Sequence, residues 1–453
     1  MMKIIWMAIA AGILMGTTGQ AAQLQPPDWE AKAREVVQDL ASSKFDVVEA
    51  QYDDAMANAL PHGKIQEAWT GLIAQAGAFQ KITAVQASEV QEYQRVSVTC
   101  EFEKTELIAS VVFDADGKLG GLRFLPGASA TPWTSPAYAN QAAFHETPVT
   151  VVNEKFELPG TLTLPAGKRP FPGVVLVQGS GPHDEDETIG PNKPFKDLAW
   201  GLASRGIAVL RYTKRTLKYG TASSADPSSL TVEDETISDA RAAVALMQKQ
   251  SGVDPKHVYL LGHSLGAMLA PRIASGDTEI AGIILMAGNT RPLDLVIVDQ
   301  VHYIASLPGG DAEQMKKLVA EAGAAASEIS APNLKPGAAV EVLGAKTYGA
   351  YWLDLRGYHQ AKAAAKLTIP MLILQGGRDY QVTKPDYEGW QKALAGHANA
   401  TLKWYPALNH LFMAGPANSS GMATPAEYDT PGHVSTEAVS DIAAWVASGG
   451  KSI

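Results

Sequence analysis

The chain has 453 residues, of which 46% are hydrophobic and 19% charged, and its formal net charge is −10 at pH 7. The length exceeds that of one average domain, and the composition is that of a globular protein with a large core, which excludes a disordered or collagen-like chain. The acidic balance argues against nucleic acids and anionic membranes as partners, because both attract clustered Lys and Arg side chains.

Residues 1–22 have the pattern of a secretory signal peptide. Lys3 precedes an apolar run over residues 4–15, and small residues follow up to Ala21 and Ala22, where we expect cleavage. A membrane anchor is the alternative, but the run is shorter than the roughly 20 apolar residues that span a bilayer. The sequence therefore predicts an exported protein, periplasmic or secreted, with no membrane association after cleavage.

Residues 28–126 are expected to form a small α+β domain. Apolar residues recur at helical spacing over 29–40 and 65–76, and alternation of apolar and polar residues then predicts a meander of strands. The strands are expected at 95–102, 107–113 and 119–124. Cys100, the single cysteine of the chain, has no partner for an internal disulfide and is expected to be a buried structural thiol.

Several positions in this region resemble a small domain of unknown function that precedes the hydrolase domain in many bacterial secreted enzymes. The resemblance implies a cone-shaped sheet similar to that of nuclear transport factors. It rests on Phe45-Asp46, Leu60-Pro61, Trp69, Gly77-Ala78-Phe79, Phe102 and residues 120–124. The domain is expected to be a structural or dimerising appendage, with docking of a substrate or partner as the alternative.

Residues 127–148, rich in Pro, Ala, Ser and Thr, are expected to be a linker to a larger domain over 149–449. That domain opens with a predicted hairpin, after which short apolar runs alternate with helical segments. The runs lie at 174–177, 207–210, 258–261, 280–286, 371–374 and 402–405. Such alternation predicts an α/β domain with a mostly parallel sheet covered on both faces. Residues 289–366 hold helical segments without a comparable strand and are the candidate lid.

The motif GHSLG at residues 262–266 lies between one of these apolar runs and an Ala-rich helical segment. Between a strand and a helix, glycines on either side of a serine allow a strained turn that exposes the serine hydroxyl. Ser264 is therefore the candidate nucleophile, and a helix cap is its alternative role.

A serine hydroxyl needs a base that removes its proton, and histidine has a suitable pKa. His410 closely follows the last apolar run and is the candidate base, with His433 as the alternative. Asp379, the first carboxylate after the preceding run, is the candidate acid that orients the base, and Asp386 is held in reserve. The other histidines that follow the serine are His302 and His359, in the expected lid, and His397, in a helix-ending turn.

Acyl transfer also requires hydrogen-bond donors for the oxyanion. The backbone N–H of Leu265, directly after the nucleophile, is the first candidate. The second is Ser180 in the motif QGSGP at 178–182, whose glycines permit a close backbone approach. A plain glycine-rich turn is the alternative reading of that motif.

Together with QGGRD at 375–379 and LNHLF at 408–412, these motifs resemble bacterial α/β-hydrolases related to serine aminopeptidases and acyl esterases. The resemblance covers about residues 145–447 and implies the α/β-hydrolase fold, whose order of nucleophile, acid and base this chain follows. Many relatives have His at Gln178, and RYTKR at 211–215 replaces a common Asp-x-Arg-Gly, so these two loops are less informative about the substrate.

The sequence thus predicts a serine hydrolase that cleaves carboxylic esters of small molecules through an acyl-enzyme intermediate, with no cofactor or metal. A serine peptidase or aminopeptidase acting on short peptides is one alternative. In it the acidic loop at 183–187 would bind the substrate amine, although a solvated loop is the expected reading of those residues. A non-catalytic binding module on the same fold is the other alternative.

Overall fold

The computed structural model describes residues 28–90, 93–126, 133–277, 279–308, 312–416, 419 and 421–451. The expected signal peptide lies outside these residues. The chain divides into two compact units, the first ending at Pro132 and also including Gly344–Lys346, and the second formed by the rest from Trp133 onward. No helix in the described ranges combines the length and the apolar character that a membrane span requires.

The first unit places helices against one antiparallel sheet. The helices are α1 (Trp29–Ala41), α2 (Phe45–Glu49), α3 (Asp54–Ala59) and α4 (Lys64–Ala76), and the strands, in spatial order, are β1 (Phe79–Val90), β2 (Tyr93–Phe102), β3 (Glu106–Phe113) and β4 (Leu119–Pro126). Val36 and Leu40 of α1 share a buried cluster with Val98 and Cys100 of β2. Burial raises the pKa of the Cys100 thiol to about 11, so the thiol remains protonated and unreactive at neutral pH.

The second unit is built on an eight-stranded sheet. Its strands are β5 (Phe144–Asn153), β6 (Phe156–Pro165), β7 (Phe171–Val177), β8 (Ala208–Tyr212), β9 (Val253–His263), β10 (Ile283–Met286), β13 (Met371–Gly376) and β14 (Ala400–Tyr405). The spatial order is β14-β13-β10-β9-β7-β8-β6-β5. The strands β14, β13, β10, β9, β7 and β8 are parallel to one another, whereas β5 and β6 are antiparallel additions at one edge.

Helices cover both faces of this sheet because its strands are apolar on both sides. In β7, Val175 and Val177 belong to one buried cluster and Val174 and Leu176 to the other, as expected for side chains that alternate across a sheet. The first cluster includes residues of α7 (Ser238–Gln248), α8 (Leu265–Ser275) and α13 (Lys384–Ala393), and the second includes residues of α5 (Pro194–Ala203) and α14 (Thr436–Ala447). A short helix α6 (Arg215–Tyr219) and a π-helical turn at Glu233–Ile237 follow β8. The predicted fold class is confirmed.

The region expected to be a lid contains more than helices. It consists of α9 (Leu293–Ser306), α10 (Ala312–Ser330), α11 (Gly349–Gly357) and α12 (Gln360–Ala364), together with a two-stranded hairpin of β11 (Ala339–Val342) and β12 (Ala345–Tyr348). The hairpin turns at Leu343 and Gly344, both with positive φ. Its strands are only four residues long, which is too short for alternation of apolar residues to reveal them.

The segment expected to be a linker, 127–148, is folded over much of its length. Trp133 donates from Nε1 to the Asp197 carboxylate at 3.0 Å, and its ring meets Trp200 edge-on with centroids 5.0 Å apart. Strand β5 begins at Phe144, inside the expected linker. The sequence does not reveal these contacts, because the large apolar residues of this Pro- and Ser-containing segment are isolated from one another and produce no periodic pattern.

Candidate active site

Ser264 lies on a strained turn between β9 and α8. Its backbone has φ 53° and ψ −115°, a conformation that costs an ordinary residue on the order of 1–3 kcal/mol. A Cβ atom on Gly262 would lie 2.2 Å from the carbonyl carbon of Gly266, and one on Gly266 would lie 2.2 Å from the carbonyl oxygen of Val177. Both flanking glycines are therefore required by close backbone packing, which is the reason for the glycine spacing in the motif.

His410 and Asp379 form a hydrogen-bonded pair in the interior. Nδ1 of His410 lies 2.7 Å from Oδ2 of Asp379, and both side chains are almost completely buried. The other carboxylate oxygen of Asp379 accepts from the backbone N–H groups of Gln381 at 2.8 Å and Val382 at 3.0 Å. Gln375 donates to Oδ2 at 3.1 Å. With four donors around it, the carboxylate holds one orientation and fixes that of the imidazole.

The residue before the candidate nucleophile lies against the histidine of this pair, at the carboxyl edge of the sheet. His263, which directly precedes Ser264, has its ring 4.7 Å from that of His410, and its Nε2 lies 2.9 Å from the His410 carbonyl oxygen. Since Nδ1 of His410 bonds to Asp379, Nε2 is the nitrogen left for proton transfer. The structure thus brings Ser264, Asp379 and His410 into one region, as the motifs predict.

The reserve candidates have other partners. His433 bonds from Nδ1 to Asp197 at 3.0 Å, beside Trp133. Asp386 accepts from the Arg291 side chain at 2.8 Å and from backbone N–H groups of the loop that follows β10. The other histidines considered as the base, His302, His359 and His397, lie in α9, directly before α12 and after α13.

The two backbone N–H groups expected to serve as oxyanion donors belong to Leu265 and Ser180. Leu265 is the first residue of α8, where a helix leaves its N–H groups without internal partners and carries partial positive charge. A Cβ on Gly179 would lie 3.1 Å from Cβ of Ser264, so the loop after β7 runs against the nucleophile. Among the described residues no acceptor binds the N–H of Ser180, the residue that follows.

The acidic loop at 183–187 is only partly solvated, because Asp186 and Glu187 are buried whereas residues 183–185 are half-buried, so the expectation of a solvated loop was wrong for its last two residues. Glu187 is buried, accepts from the Gly179 N–H at 2.6 Å, and has its second oxygen 3.0 Å from Nδ1 of His263. Burial opposes the charge on Glu187, but the charge of His263 and the hydrogen bonds outweigh it and lower the carboxyl pKa. Burial likewise opposes protonation of His263, yet the attraction of Glu187 prevails and raises the imidazole pKa.

Cations of β8 and of the segment before α5 explain why the loop folds inward. Arg211 is buried and pairs with Glu146, Glu185 and Asp186, and Lys193 also pairs with Asp186. A buried cation requires carboxylate partners, since unpaired burial of a charge is strongly unfavourable. The signal was present in the sequence as three cations, RYTKR, directly after an apolar strand. In the sequence alone, these cations stand out only as a departure from a family motif.

Potential metal ligands cluster elsewhere in the described ranges. Asp46, Glu49 and His62 of the first unit have ligand atoms within 4.8 Å of one another. Glu49 already bonds to the His62 imidazole at 2.5 Å and to the Gly63 N–H at 2.8 Å. This group therefore has an internal hydrogen-bonding role and does not belong to the site around Ser264.

Two family models match the two units separately. Residues 33–122 match a protein family of unknown function, DUF3887, and residues 192–416 match the family described as serine aminopeptidase, S33. Esterase EstD of Thermotoga maritima is 40% identical over 411 residues, which cover 90% of this chain and 93% of the relative. A polyketide transferase, ATR5, of Stachybotrys chlorohalonatus is 27% identical over 34% of this chain and 47% of its own.

Solved structures with a similar arrangement include Est1E from Butyrivibrio proteoclasticus, which is 17% identical, covers 66% of this chain and 99% of its own, and has a TM-score of 0.43. An esterase of Pyrobaculum calidifontis is 14% identical over 67% of this chain and 85% of its own, with a TM-score of 0.42. The fold assignment rests on the sheet topology and the family match, and the family on the sequence identity to EstD. This protein belongs to the same family as esterase EstD and is a serine hydrolase of the α/β-hydrolase fold.

Proposed function

We propose that the protein hydrolyses carboxylic esters of small molecules through an acyl-enzyme intermediate. The Ser264 hydroxyl attacks the ester carbonyl carbon while Nε2 of His410 takes its proton, and Asp379 stabilises the imidazolium. The N–H groups of Leu265 and Ser180 bind the oxyanion of the tetrahedral intermediate. His410 then returns its proton to the departing alcohol, and a water molecule repeats the sequence to release the acid.

One observation carries this proposal. Nδ1 of His410 is bound to a fully engaged Asp379 carboxylate, at the sheet edge where Ser264 occupies its strained turn. An imidazole fixed in this way exchanges a proton with the substrate or the nucleophile through Nε2, the nitrogen on the side away from the carboxylate. The relative EstD is an esterase by name, which supports an ester as the substrate class.

The nucleophile is tested by the variant Ser264→Ala. It should lose both covalent labelling by a fluorophosphonate probe and turnover of chromogenic acyl esters, by several powers of ten. Ser275→Ala, at the far end of the same helix, is the matched control, because its hydroxyl is exposed and donates to the Arg272 carbonyl. Labelling of Ser264→Ala at the rate of the wild type would refute the assignment.

The peptidase alternative uses the same residues on another substrate. In this alternative the acidic loop would bind the substrate amine. However, its carboxylates already bond to groups of the protein, namely those of Asp184, Glu185, Asp186 and Glu187. This engagement favours the ester substrate. Parallel assays of acyl p-nitrophenyl esters, graded in acyl length, and of aminoacyl p-nitroanilides decide between them, and faster turnover of the anilides would reverse the choice.

We further propose that the protein is exported to the periplasm or secreted, on the pattern of residues 1–22. Expression of the full chain in a bacterium, followed by N-terminal sequencing of the protein outside the cytoplasm, should give a start near residue 22 or 23. Recovery of the uncleaved chain in the cytoplasm alone would contradict export.

A further inference from the structure

Lys214 is a buried cation in direct contact with the loop that approaches the nucleophile. Its side chain is 2% exposed, and Nζ donates to the Gly179 carbonyl oxygen at 2.8 Å. The same nitrogen lies 2.8 Å from Oε1 of Glu235, in the π-helical turn after β8. A buried ammonium is expensive to desolvate, and here it has one carboxylate and one peptide carbonyl as partners.

The contact acts on the peptide that carries the candidate oxyanion donor. The Gly179 carbonyl and the Ser180 N–H belong to the same planar peptide group, and in a trans peptide the two bonds point in opposite directions. An ammonium that fixes the carbonyl therefore fixes the direction of the N–H. It also withdraws electron density from the carbonyl oxygen, which makes the N–H a stronger donor.

The peptide on the other side of Gly179 is held as well. Its N–H donates to Glu187 at 2.6 Å, so opposite charges hold the two peptide groups that flank this residue. Glycine lacks a Cβ atom and is the residue with the greatest backbone freedom. The absence of a Cβ allows the close approach to Ser264, and the two charged contacts replace the rigidity that a side chain would have given.

Glu235 extends the arrangement to α11, one of the helices between β10 and β13. The phenol of Tyr351, in α11, faces this carboxylate, and burial together with the charge and hydrogen bonding of Glu235 raises the phenol pKa well above its ordinary value. Tyr351, Glu235, Lys214 and Gly179 thus form a continuous series of polar contacts from α11 to the loop beside Ser264.

We propose that Lys214, paired with Glu235, is a positioning residue that orients the Ser180 N–H toward the oxyanion. The inference rests on the proposed function, since it assigns a partner to one of the oxyanion donors named there. It predicts a defect that is specific to the transition state, because the oxyanion exists only after attack on the carbonyl.

The variant Lys214→Met removes the charge while keeping a side chain of similar length. Because loss of an oxyanion donor lowers kcat by about 10²–10³-fold, misorientation of one should lower it by about 10–100-fold, with KM within twofold of the wild type. The inhibition constant of a boronic acid that mimics the tetrahedral intermediate should rise by the same factor. Lys214→Arg, which retains a cationic donor, should recover part of the loss, and Glu235→Gln should give a smaller loss of the same kind.

The adjacent residue provides a matched control. Arg215 is equally buried and pairs with Asp239, but it makes no described contact with Gly179. Arg215→Met should lower the melting temperature and leave kcat per folded molecule unchanged. The inference is overturned if Lys214→Met keeps the wild-type kcat, or if its kcat falls while the affinity for the boronic acid is unchanged.

Failure of this inference can be told apart from failure of the proposed function. If the wild type shows turnover that depends on Ser264 and Lys214→Met retains it, only the role of Lys214 is refuted. If the wild type shows no such turnover, both fail together. Where Lys214→Met does not fold, Glu235→Gln supplies the same kcat and inhibitor readouts with the ammonium still present, and wild-type values of both would overturn the inference.

Discussion

Asp379 and Asp386 are both buried carboxylates, yet only Asp379 contacts a histidine. Asp379→Asn should lower kcat by about 10³–10⁴-fold, because an amide in its place no longer stabilises the imidazolium or selects its tautomer. Asp386→Asn should keep kcat per folded molecule and lower the melting temperature, since it weakens the bonds to Arg291 and the loop after β10. Ester turnover and thermal unfolding of both variants test this pair, and an equal loss of kcat in the two would contradict it.

The buried pair of Glu187 and His263 predicts a pH dependence of stability. The raised pKa of His263 adds stability below the ordinary value of 6.5, and this is lost as pH rises through the folded-state pKa. The lowered pKa of Glu187 adds stability above the ordinary value of 4.5, lost as pH falls through the folded-state pKa. Both contributions are therefore complete between pH 4.5 and 6.5.

Glu187→Gln removes this pair, so its melting temperature should differ most from that of the wild type between pH 4.5 and 6.5. The difference should shrink in alkaline solution. Asp254→Asn is the surface counterpart, because it removes an exposed pair with His257, and solvent screening should leave its melting temperature close to that of the wild type throughout. A difference for Glu187→Gln that is constant with pH would rule out the linkage.

At the scale of elements, α8 and α10 each contain a glycine, but in opposite surroundings. A Cβ on Gly266 of α8 would lie 2.2 Å from the Val177 carbonyl oxygen, whereas one on Gly323 of α10 would meet nothing within 4 Å. Gly266→Ala should therefore displace the turn at Ser264 and abolish activity. Gly323→Ala should stabilise the protein by about 0.5–1 kcal/mol with unchanged turnover, because alanine is the better helix former. Denaturant unfolding and ester assays of the two variants check the contrast.

The elements that a sequence pattern predicts well are those whose local and long-range preferences agree. Each apolar run that alternates with helical segments became a strand, because burial on both faces selects continuous Val, Ile and Leu. The motif around Ser264 was informative because the positions of its glycines are set by the fold: a side chain at either glycine would clash with backbone atoms.

The acidic loop and the RYTKR segment were misjudged because each is polar by itself. These segments are held in place by ion pairs that form only in the folded chain, between Arg211 and Asp186 and between Lys214 and Glu235. The two pairs are separated by 25 and 21 positions in sequence. A single sequence gives no local signal for such pairing. The charges of one segment are satisfied by those of another only once β8 and the loop after β7 are neighbours in the sheet.

For the whole molecule, the question is where one unit ends and the next begins. The buried cluster of the first unit draws its residues from 29–124, and the two clusters around the large sheet draw theirs from 138–446. The composition of residues 127–148 suggested a linker throughout. The structure instead assigns Trp133 and the residues that follow to the second unit.

Two truncated chains test this boundary. A chain that starts at residue 133 should fold, keep its ester turnover and unfold in a single transition, because it retains every residue of the two clusters around the large sheet. A chain that starts at residue 149, the boundary expected from composition, lacks Trp133, Tyr138 and the first half of β5. Asp197 then stays buried without its Trp133 donor.

Asp197 keeps the His433 imidazole and the Val434 N–H as partners. The loss of a packed aromatic residue and of one hydrogen bond to a buried carboxylate should together lower the free energy of unfolding by about 3–5 kcal/mol. Denaturant unfolding of the two chains measures this difference, and Trp133→Phe in the full chain isolates the part that belongs to the indole N–H. Equal stability of the two truncated chains would mean that residues 133–148 are a linker after all, and that the contacts of Trp133 with Asp197 and Trp200 contribute nothing to the stability of the second unit.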